Sequence, residues 1–259
     1  MIPLKTQSEI EVLRENGRRL AWVLECLAEH VAPDADTASL DRIAEELIRD
    51  AGAEPAFKGY RGYPASICTS INQEVVHGIP SAKRRLREGD ILSIDVGLLR
   101  DGFYADAATT VPVGKISARA RHLLEVTREG LWRGIERATI GARLSDVSHA
   151  IGSYVESEGL YVVTEYVGHG IGRQLHEDPQ IPNYGPPGRG PRLEPGMVLA
   201  VEPMVKTDPE PTRVLDDEWT VVTGNGGLAA HFEHTIVLTD QGVDVVTQGG
   251  DERRSGQAR

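Results

Sequence analysis

Two glutamates sit where this chain can least easily bury them. Glu202 lies in Val198-Leu199-Ala200-Val201-Glu202-Pro203-Met204-Val205, and Glu233 leads into Phe232-Glu233-His234-Thr235-Ile236-Val237-Leu238. Both runs have the apolar, β-branched character of buried strands. A bare carboxylate in such a strand costs more than the roughly 2–7 kcal/mol of an unpaired neutral polar group, so the fold has to supply each with a cation. A buried salt bridge is one solution and ligation of a metal ion is the other.

A second acidic pair lies in Ile91-Leu92-Ser93-Ile94-Asp95-Val96-Gly97-Leu98-Leu99-Arg100-Asp101-Gly102-Phe103-Tyr104-Ala105-Asp106, where Asp101-Gly102 is a strong hairpin signal. A two-residue loop puts Asp95 and Asp106 on one sheet face, diagonal if Asp101-Gly102 is the loop and directly opposite if the loop starts one residue earlier. Ile94, Val96, Ala105 and Val111–Val113 make these strands read as buried. Bare like charges there repel, and a cation between them reverses the sign of that interaction. His169, in Gly168-His169-Gly170-Ile171-Gly172, is flanked by glycines that permit close backbone approach. It reads either as a ligand or as a hydrogen-bonded structural histidine. The segment is neither a phosphate-binding loop nor a dinucleotide fingerprint. Together Asp95, Asp106, His169, Glu202 and Glu233 form the carboxylate-rich, single-imidazole set that suits two divalent ions sharing a nucleophilic water, so the chain reads first as a metallohydrolase. His77 and His176 are candidate catalytic helpers, with a structural role beside a turn as the plain alternative. His30, His122, His149, His231 and His234 read as surface or packing residues.

With 259 residues the chain can bury a full core without cross-links, and its two cysteines, Cys26 and Cys68, offer neither a disulfide framework nor a thiolate metal cluster. The expectation is a reducing, cytoplasmic setting, with no secretory signal and no apolar run of the ~18 residues needed to span a membrane. A net charge of −11 disfavours a specific nucleic-acid surface. Helical periodicity and capping predict helices from Thr6 to Val31, Ser39 to Ala51, Ser117 to Ala138 and Ser145 to Glu158, and strands over 66–72, 91–113, 161–167, 197–206, 219–223 and 232–239. Leu40, Ile43 and Leu47 match Leu144, Val147 and Ile151 at a constant offset of 104, suggesting a duplication. The expected class is α+β: two halves of helix, helix and antiparallel strands, with helices on the outer face of a curved sheet and a cleft on its inner face. One domain is expected over residues 1–248, with a loop at Pro182–Pro195 rimming the cleft and a disordered polar tail at Gly249–Arg259.

Taken together, Gly62–Asn72, Val75–Pro80, Ser93–Asp106, Gly168–Gly172 with His176-Glu177, Val201–Met204 and Phe232–Val237 closely resemble the type I methionine aminopeptidases in order and spacing. The resemblance implies a "pita-bread" fold of two pseudo-two-fold halves with two divalent ions (Co, Mn, Fe, Zn or Ni). It implies that Asp95 chelates one ion, that Asp106 and Glu233 bridge both, and that His169 and Glu202 complete the second. It further implies that Glu202 or Glu233 accepts a proton and that His77 and His176 stabilise the tetrahedral intermediate and substrate. Tyr60, Tyr63, Cys68, His77 and Trp219 match the family's methionine pocket, and His176 its substrate contacts. Leu175 stands where an aromatic residue is expected, and Phe57 where a smaller one is common. The implied activity is removal of the N-terminal methionine from nascent polypeptides, preferring a small second residue, by a monomer that contacts the ribosome at most transiently. Xaa-Pro peptidases share the fold and ligands, and a pita-bread protein surviving only as a binding module is the third reading.

Overall fold

The computed structural model of the chain describes residues 1–250. It opens with α1 (Gln7–Glu29) and α2 (Thr37–Asp50), continues through β1 (Glu54–Pro55), β2 (Ile67–Ile71) and β3 (Glu74–Val76), and reaches the long hairpin β4 (Ile91–Arg100) and β5 (Phe103–Pro112). The order then restarts with α3 (Ala118–Arg137) and α4 (Leu144–Ser157). Short strands follow: β6 (Tyr161–Val162), β7 (Gly168–Gly170), β8 (Glu177–Ile181), β9 (Val198–Val201), β10 (Met204–Lys206), β11 (Arg213–Val214), β12 (Val221–Val222), β13 (Ala229–His231), β14 (Glu233–Thr239) and β15 (Gly242–Val245).

All four helices start within about two residues of where capping predicts them. Thr6 and Glu9 form the expected capping box, Glu9 Oε2 accepting from Thr6 N–H at 2.8 Å and Thr6 Oγ1 from Glu9 N–H at 3.4 Å, an arrangement worth about 1 kcal/mol. The strands over 161–167 and 197–206 are shorter than predicted. The first keeps only its two opening residues, and the second breaks at Glu202-Pro203, where proline cannot donate to a ladder. The duplication is real, but its offset is one helical turn from the sequence-derived one. Buried positions 37, 40, 44 and 48 of α2 correspond to 144, 147, 151 and 155 of α4, a constant offset of 107.

The main sheet has nine antiparallel strands in the order β1-β4-β5-β14-β9-β7-β8, with β2 also on β4 and β15 also on β14. Its side chains alternate between two faces. Leu92, Ile94, Val96 and Leu98 of β4 pack under Leu20, Val23, Leu27, Leu40 and Ile48 of α1 and α2. Leu199 and Val201 of β9 and Ile236 and Leu238 of β14 pack under Leu123, Leu131, Ile135, Val147 and Ile151 of α3 and α4. Helices therefore cover one face in both halves, and the opposite parity, which includes residues 95, 106, 202 and 233, is left for the inner face. Pro182–Pro195 departs from expectation. It is tied to the N-terminus of α4, with Gly188 N–H on Asp146 Oδ1 (2.7 Å) and Arg189 N–H on Ser145 Oγ (2.7 Å), and Leu193 enters the core beneath it. Polar groups at a helix start accept those amides more readily than the cleft rim could. Gly250 N–H donates to Glu25 Oε1 at 2.7 Å, and residues 251–259 of the tail expected to be disordered lie outside the described residues.

Candidate metal and peptide site

The hairpin closes through Asp101 (φ 52°) and Gly102 (φ 77°), the two left-handed positions of a type I′ turn. Arg100 pairs with Phe103, and the register runs down to Gly97 opposite Asp106 and Asp95 opposite Ala108. Asp95 and Asp106 are thus diagonal neighbours on one face. Asp106 is anchored by its backbone, since Thr235 Oγ1 accepts from its N–H (3.3 Å) and donates to its carbonyl (2.7 Å). The same contact ties β5 to β14, where Glu233 pairs with Ala108.

The second half brings three ligand types from separate strands. His169 is pinned on β7 between β8 and β9. Its flanking glycines are needed there, because a Cβ on Gly168 would lie 2.4 Å from the Ala200 carbonyl oxygen and one on Gly170 would lie 2.1 Å from that of Asp178. The His169 ring Nδ1 lies 2.9 Å from the Gly170 carbonyl. Nδ1 therefore carries the hydrogen, and Nε2 presents its lone pair 3.5 Å from Glu202 Oε1 and 4.0 Å from Asp106 Oδ2. Ligand atoms of Asp106, His169 and Glu233 all lie within 4.8 Å of one another.

No lysine or arginine forms an ion pair with Asp95, Asp106, Glu202 or Glu233 among the described residues. Asp95 Oδ1, Asp106 Oδ1 and Glu233 Oε1 are buried without any hydrogen-bond partner. The buried salt bridge allowed by the sequence is thus not formed. Burial raises every one of these acids: Asp95 to about 7 and Glu202 to about 8, with Asp106 and Glu233 also well above the carboxylate range and pushed further by their acidic neighbours. Such a group favours protons or cations. Orphaned oxygens around one neutral imidazole are a donor set that a divalent ion satisfies, so the residues present fit the metal.

One cavity of about 160 Å³ gathers the whole predicted set: Tyr60, Tyr63, Cys68, His77, Asp95, Asp106, His169, His176, Glu202, Trp219 and Glu233. Phe57, Leu175 and Arg61 complete its lining. Tyr63 and Trp219 meet edge to face at 5.0 Å. The Tyr63 hydroxyl donates to the backbone carbonyl of Ile67 or Gly78, at 3.0 and 3.1 Å. His77 holds a left-handed backbone (φ 60°), uncommon for a side chain with a Cβ, and its ring stands edge-on to Tyr166 and Trp219. Burial lowers His77 and His169 each to about 4, so both are neutral at physiological pH. His176 sits at the mouth, its ring 4.2 Å from that of His169 and its Nδ1 2.9 Å from the Tyr60 hydroxyl.

A family model for metallopeptidase family M24 matches residues 11–240. The chain belongs to metallopeptidase family M24. Within that family it is 54% identical over 248 residues to methionine aminopeptidase 1 of Bacillus subtilis, covering 96% of this chain and 100% of the relative. It is 47% identical to methionine aminopeptidase 1 of Mycobacterium tuberculosis, covering 96% of each. The crystal structure of methionine aminopeptidase from Thermotoga maritima superposes with a TM-score of 0.94 at 46% identity, covering 96% of this chain and 100% of that one. Prolidase from Pyrococcus furiosus shares the fold, with a TM-score of 0.72 at 24% identity, covering 95% of this chain and 65% of that one. The chain is therefore a divalent-metal-binding peptidase of the pita-bread fold, an α+β architecture of two related halves.

One residue beside the acidic cluster was not singled out by the sequence. His231, read as a surface or packing residue, is buried at 2% exposure, and its Nε2 lies 3.5 Å from Glu202 Oε2. It precedes Glu233 by two residues, and that spacing was the available signal, because alternate residues of an extended chain share a face.

Proposed function

We propose that this protein removes the N-terminal methionine from nascent polypeptides and peptides, acting as a methionine aminopeptidase. The observation that carries this reading is one small cavity with an unpaired acidic floor and an apolar wall, in a chain matched along its length by methionine aminopeptidases. At ~30 Å³ per water, about 160 Å³ admits roughly one side chain rather than a folded segment.

In this reading Asp95, Asp106, His169, Glu202 and Glu233 would hold the divalent metal, with Asp106, His169 and Glu233 close enough to share it. The bound ions supply an activated water and polarise the scissile carbonyl. Glu202 or Glu233, held in a site that favours the protonated carboxyl, takes the proton of the attacking water as the new C–O bond forms and returns it to the departing amide nitrogen as the C–N bond breaks. A neutral His77 N–H donates to the oxygen that gains charge, without desolvating a cation of its own. His176, whose Nδ1 is held by Tyr60, orients the substrate at the mouth. The free α-amine lies near Asp95, which restricts cleavage to the first residue.

Tyr63, Cys68, Trp219 and His77 line the methionine side chain. Phe57 and Leu175 face the same cavity and exchange the bulk expected at their positions, so the pocket keeps an apolar wall of altered shape. Free thiols at Cys26 and Cys68 suit the reducing cytoplasm, where nascent chains emerge.

The test is peptide cleavage by purified protein, chelated and refilled with Co, Mn, Fe, Zn or Ni in turn. Met-Gly-type peptides should be cleaved in preference to Met-Lys-type peptides, because a long second residue meets the pocket rim. Equal rates on both refute the steric account, and hydrolysis of Xaa-Pro peptides without removal of methionine would assign the fold's other activity.

A further inference from the structure

We infer that His231 is a positioning residue for Glu202, donating from its Nε2–H to Glu202 Oε2 and so holding the other oxygen, Oε1, toward His169 and the acidic floor. The inference rests on the reading of Glu202 as a metal ligand. Glu202 needs outside support because it falls in the break between β9 and β10, where Pro203 interrupts the ladder. Its backbone carbonyl is held by Asn183 Nδ2 at 3.1 Å. Its two carboxylate oxygens face different imidazoles, each at 3.5 Å, Oε1 opposite His169 and Oε2 opposite His231.

The two imidazoles are not equivalent. His169 commits its Nδ1 hydrogen to the Gly170 carbonyl and can offer Glu202 only a lone pair, an arrangement that invites a cation between them. His231 Nε2 is buried without any hydrogen-bond partner and stands 3.5 Å from Glu202 Oε2, so closing that contact would satisfy an otherwise orphaned donor. Its ring lies behind Glu202 and does not line the cavity. The His231 backbone is locked: Thr110 Oγ1 accepts from its N–H at 2.9 Å and donates to its carbonyl at 2.8 Å, and β13 pairs His231 with Met204, two residues beyond Glu202. A donor fixed on that side satisfies one oxygen of the carboxylate and leaves the other for a metal, as carboxylate ligands generally require.

The experiment compares wild type, His231→Gln, His231→Leu and Glu202→Gln. Each is chelated and titrated with Mn²⁺ by calorimetry, and each is assayed on a Met-Gly peptide. His231→Leu should weaken the more loosely bound ion about 10–100-fold and lower kcat with little change in KM. His231→Gln, whose amide can donate from the same side, should recover most of that loss. Histidine ¹⁵N spectra of zinc-loaded wild type, which need no variant to fold, should show hydrogen on His231 Nε2 and on His169 Nδ1. Wild-type metal affinity in His231→Leu, no recovery in His231→Gln, or zinc bound directly to His231 Nε2 would each overturn the inference. If Glu202→Gln loses the ion while His231→Leu does not, only the role of His231 falls. If Glu202→Gln binds both ions like wild type, the reading of Glu202 itself falls.

Discussion

The two halves of this fold are built alike and deliver their acids differently. The N-terminal half carries Asp95 and Asp106 on adjacent strands of one hairpin, and a two-residue turn sets their register. The C-terminal half carries His169, Glu202 and Glu233 on β7, just past β9, and at the start of β14. These segments meet only through pairings between distant parts of the chain. An equivalent helix pair backs the sheet in each half, α1 and α2 in the first and α3 and α4 in the second. A metal-ligand pair can therefore be specified by a local turn, whereas a ligand triad needs the assembled sheet, so the two kinds of site should fail in different ways.

On the proposed reading, the largest effect should come where Asp106 and Glu233 bring the two halves together. Asp106→Ala and Glu233→Ala should each lower kcat/KM by ~10³-fold or more, because several kcal/mol of transition-state stabilisation goes with the metal. Elemental analysis should find the metal content reduced in both, and near-wild-type activity in either would dissolve the comparison. His77→Ala should lose ~10²-fold in kcat while keeping its metal, and loss of metal in that variant would show its role to be misassigned.

Metal removal should invert the pH dependence of stability. Burial raises Asp95 to about 7 and Glu202 to about 8 in the metal-free fold, whereas the unfolded chain releases these protons near pH ~4. The contribution of such raised groups is fully present below pH ~4 and is lost as pH rises through about 7 and 8. The melting temperature of chelated protein should accordingly fall across that window, and the loaded protein should not follow it, since its ligands are already deprotonated. Metal binding at pH 7 should release protons, measurable by calorimetry in buffers of different ionisation enthalpy. A chelated protein whose stability is flat over this range would contradict the burial of unpaired acids.

The smallest effects separate local from assembled encoding. Gly102→Ala, at φ 77° in the exposed turn, should cost ~1 kcal/mol of stability and leave kcat unchanged. Gly168→Ala is the same chemical change, but its Cβ would meet the Ala200 carbonyl oxygen. It should move His169 and lower metal affinity and kcat together, so equal behaviour of the two variants in activity assays would remove the distinction.

Much of the architecture was legible because it is local. The helices announced themselves through caps and 3.6-residue stripes, and the hairpin through Asp101-Gly102. The unfavourable position of Glu202 and Glu233 in apolar runs pointed to a buried charge needing a cation. What remained hidden was decided at long range. The 161–167 segment shortened to its first two residues, 197–206 broke at Pro203 between two sheets, Pro182–Pro195 is tied mainly to α4 with only Asn183 reaching Glu202, and the repeat offset slipped by about one helical turn because amphipathic stripes align about equally well a turn apart. His231 was overlooked because a lone histidine has no distinguishing local pattern.

The sequence by itself determined which side chains share a face and which charges have no neighbour able to neutralise them, since strand alternation, turn chemistry and desolvation act over a few residues. Only the tertiary structure decided that the acids from both halves face one another with no lysine or arginine paired to them among the described residues, that the glycines around His169 let three backbones crowd together, and that a second imidazole stands beside Glu202. Those outcomes depend on sheet pairings between separate segments, one of which joins β5 to β14 across more than a hundred positions, and no local signal carries that information.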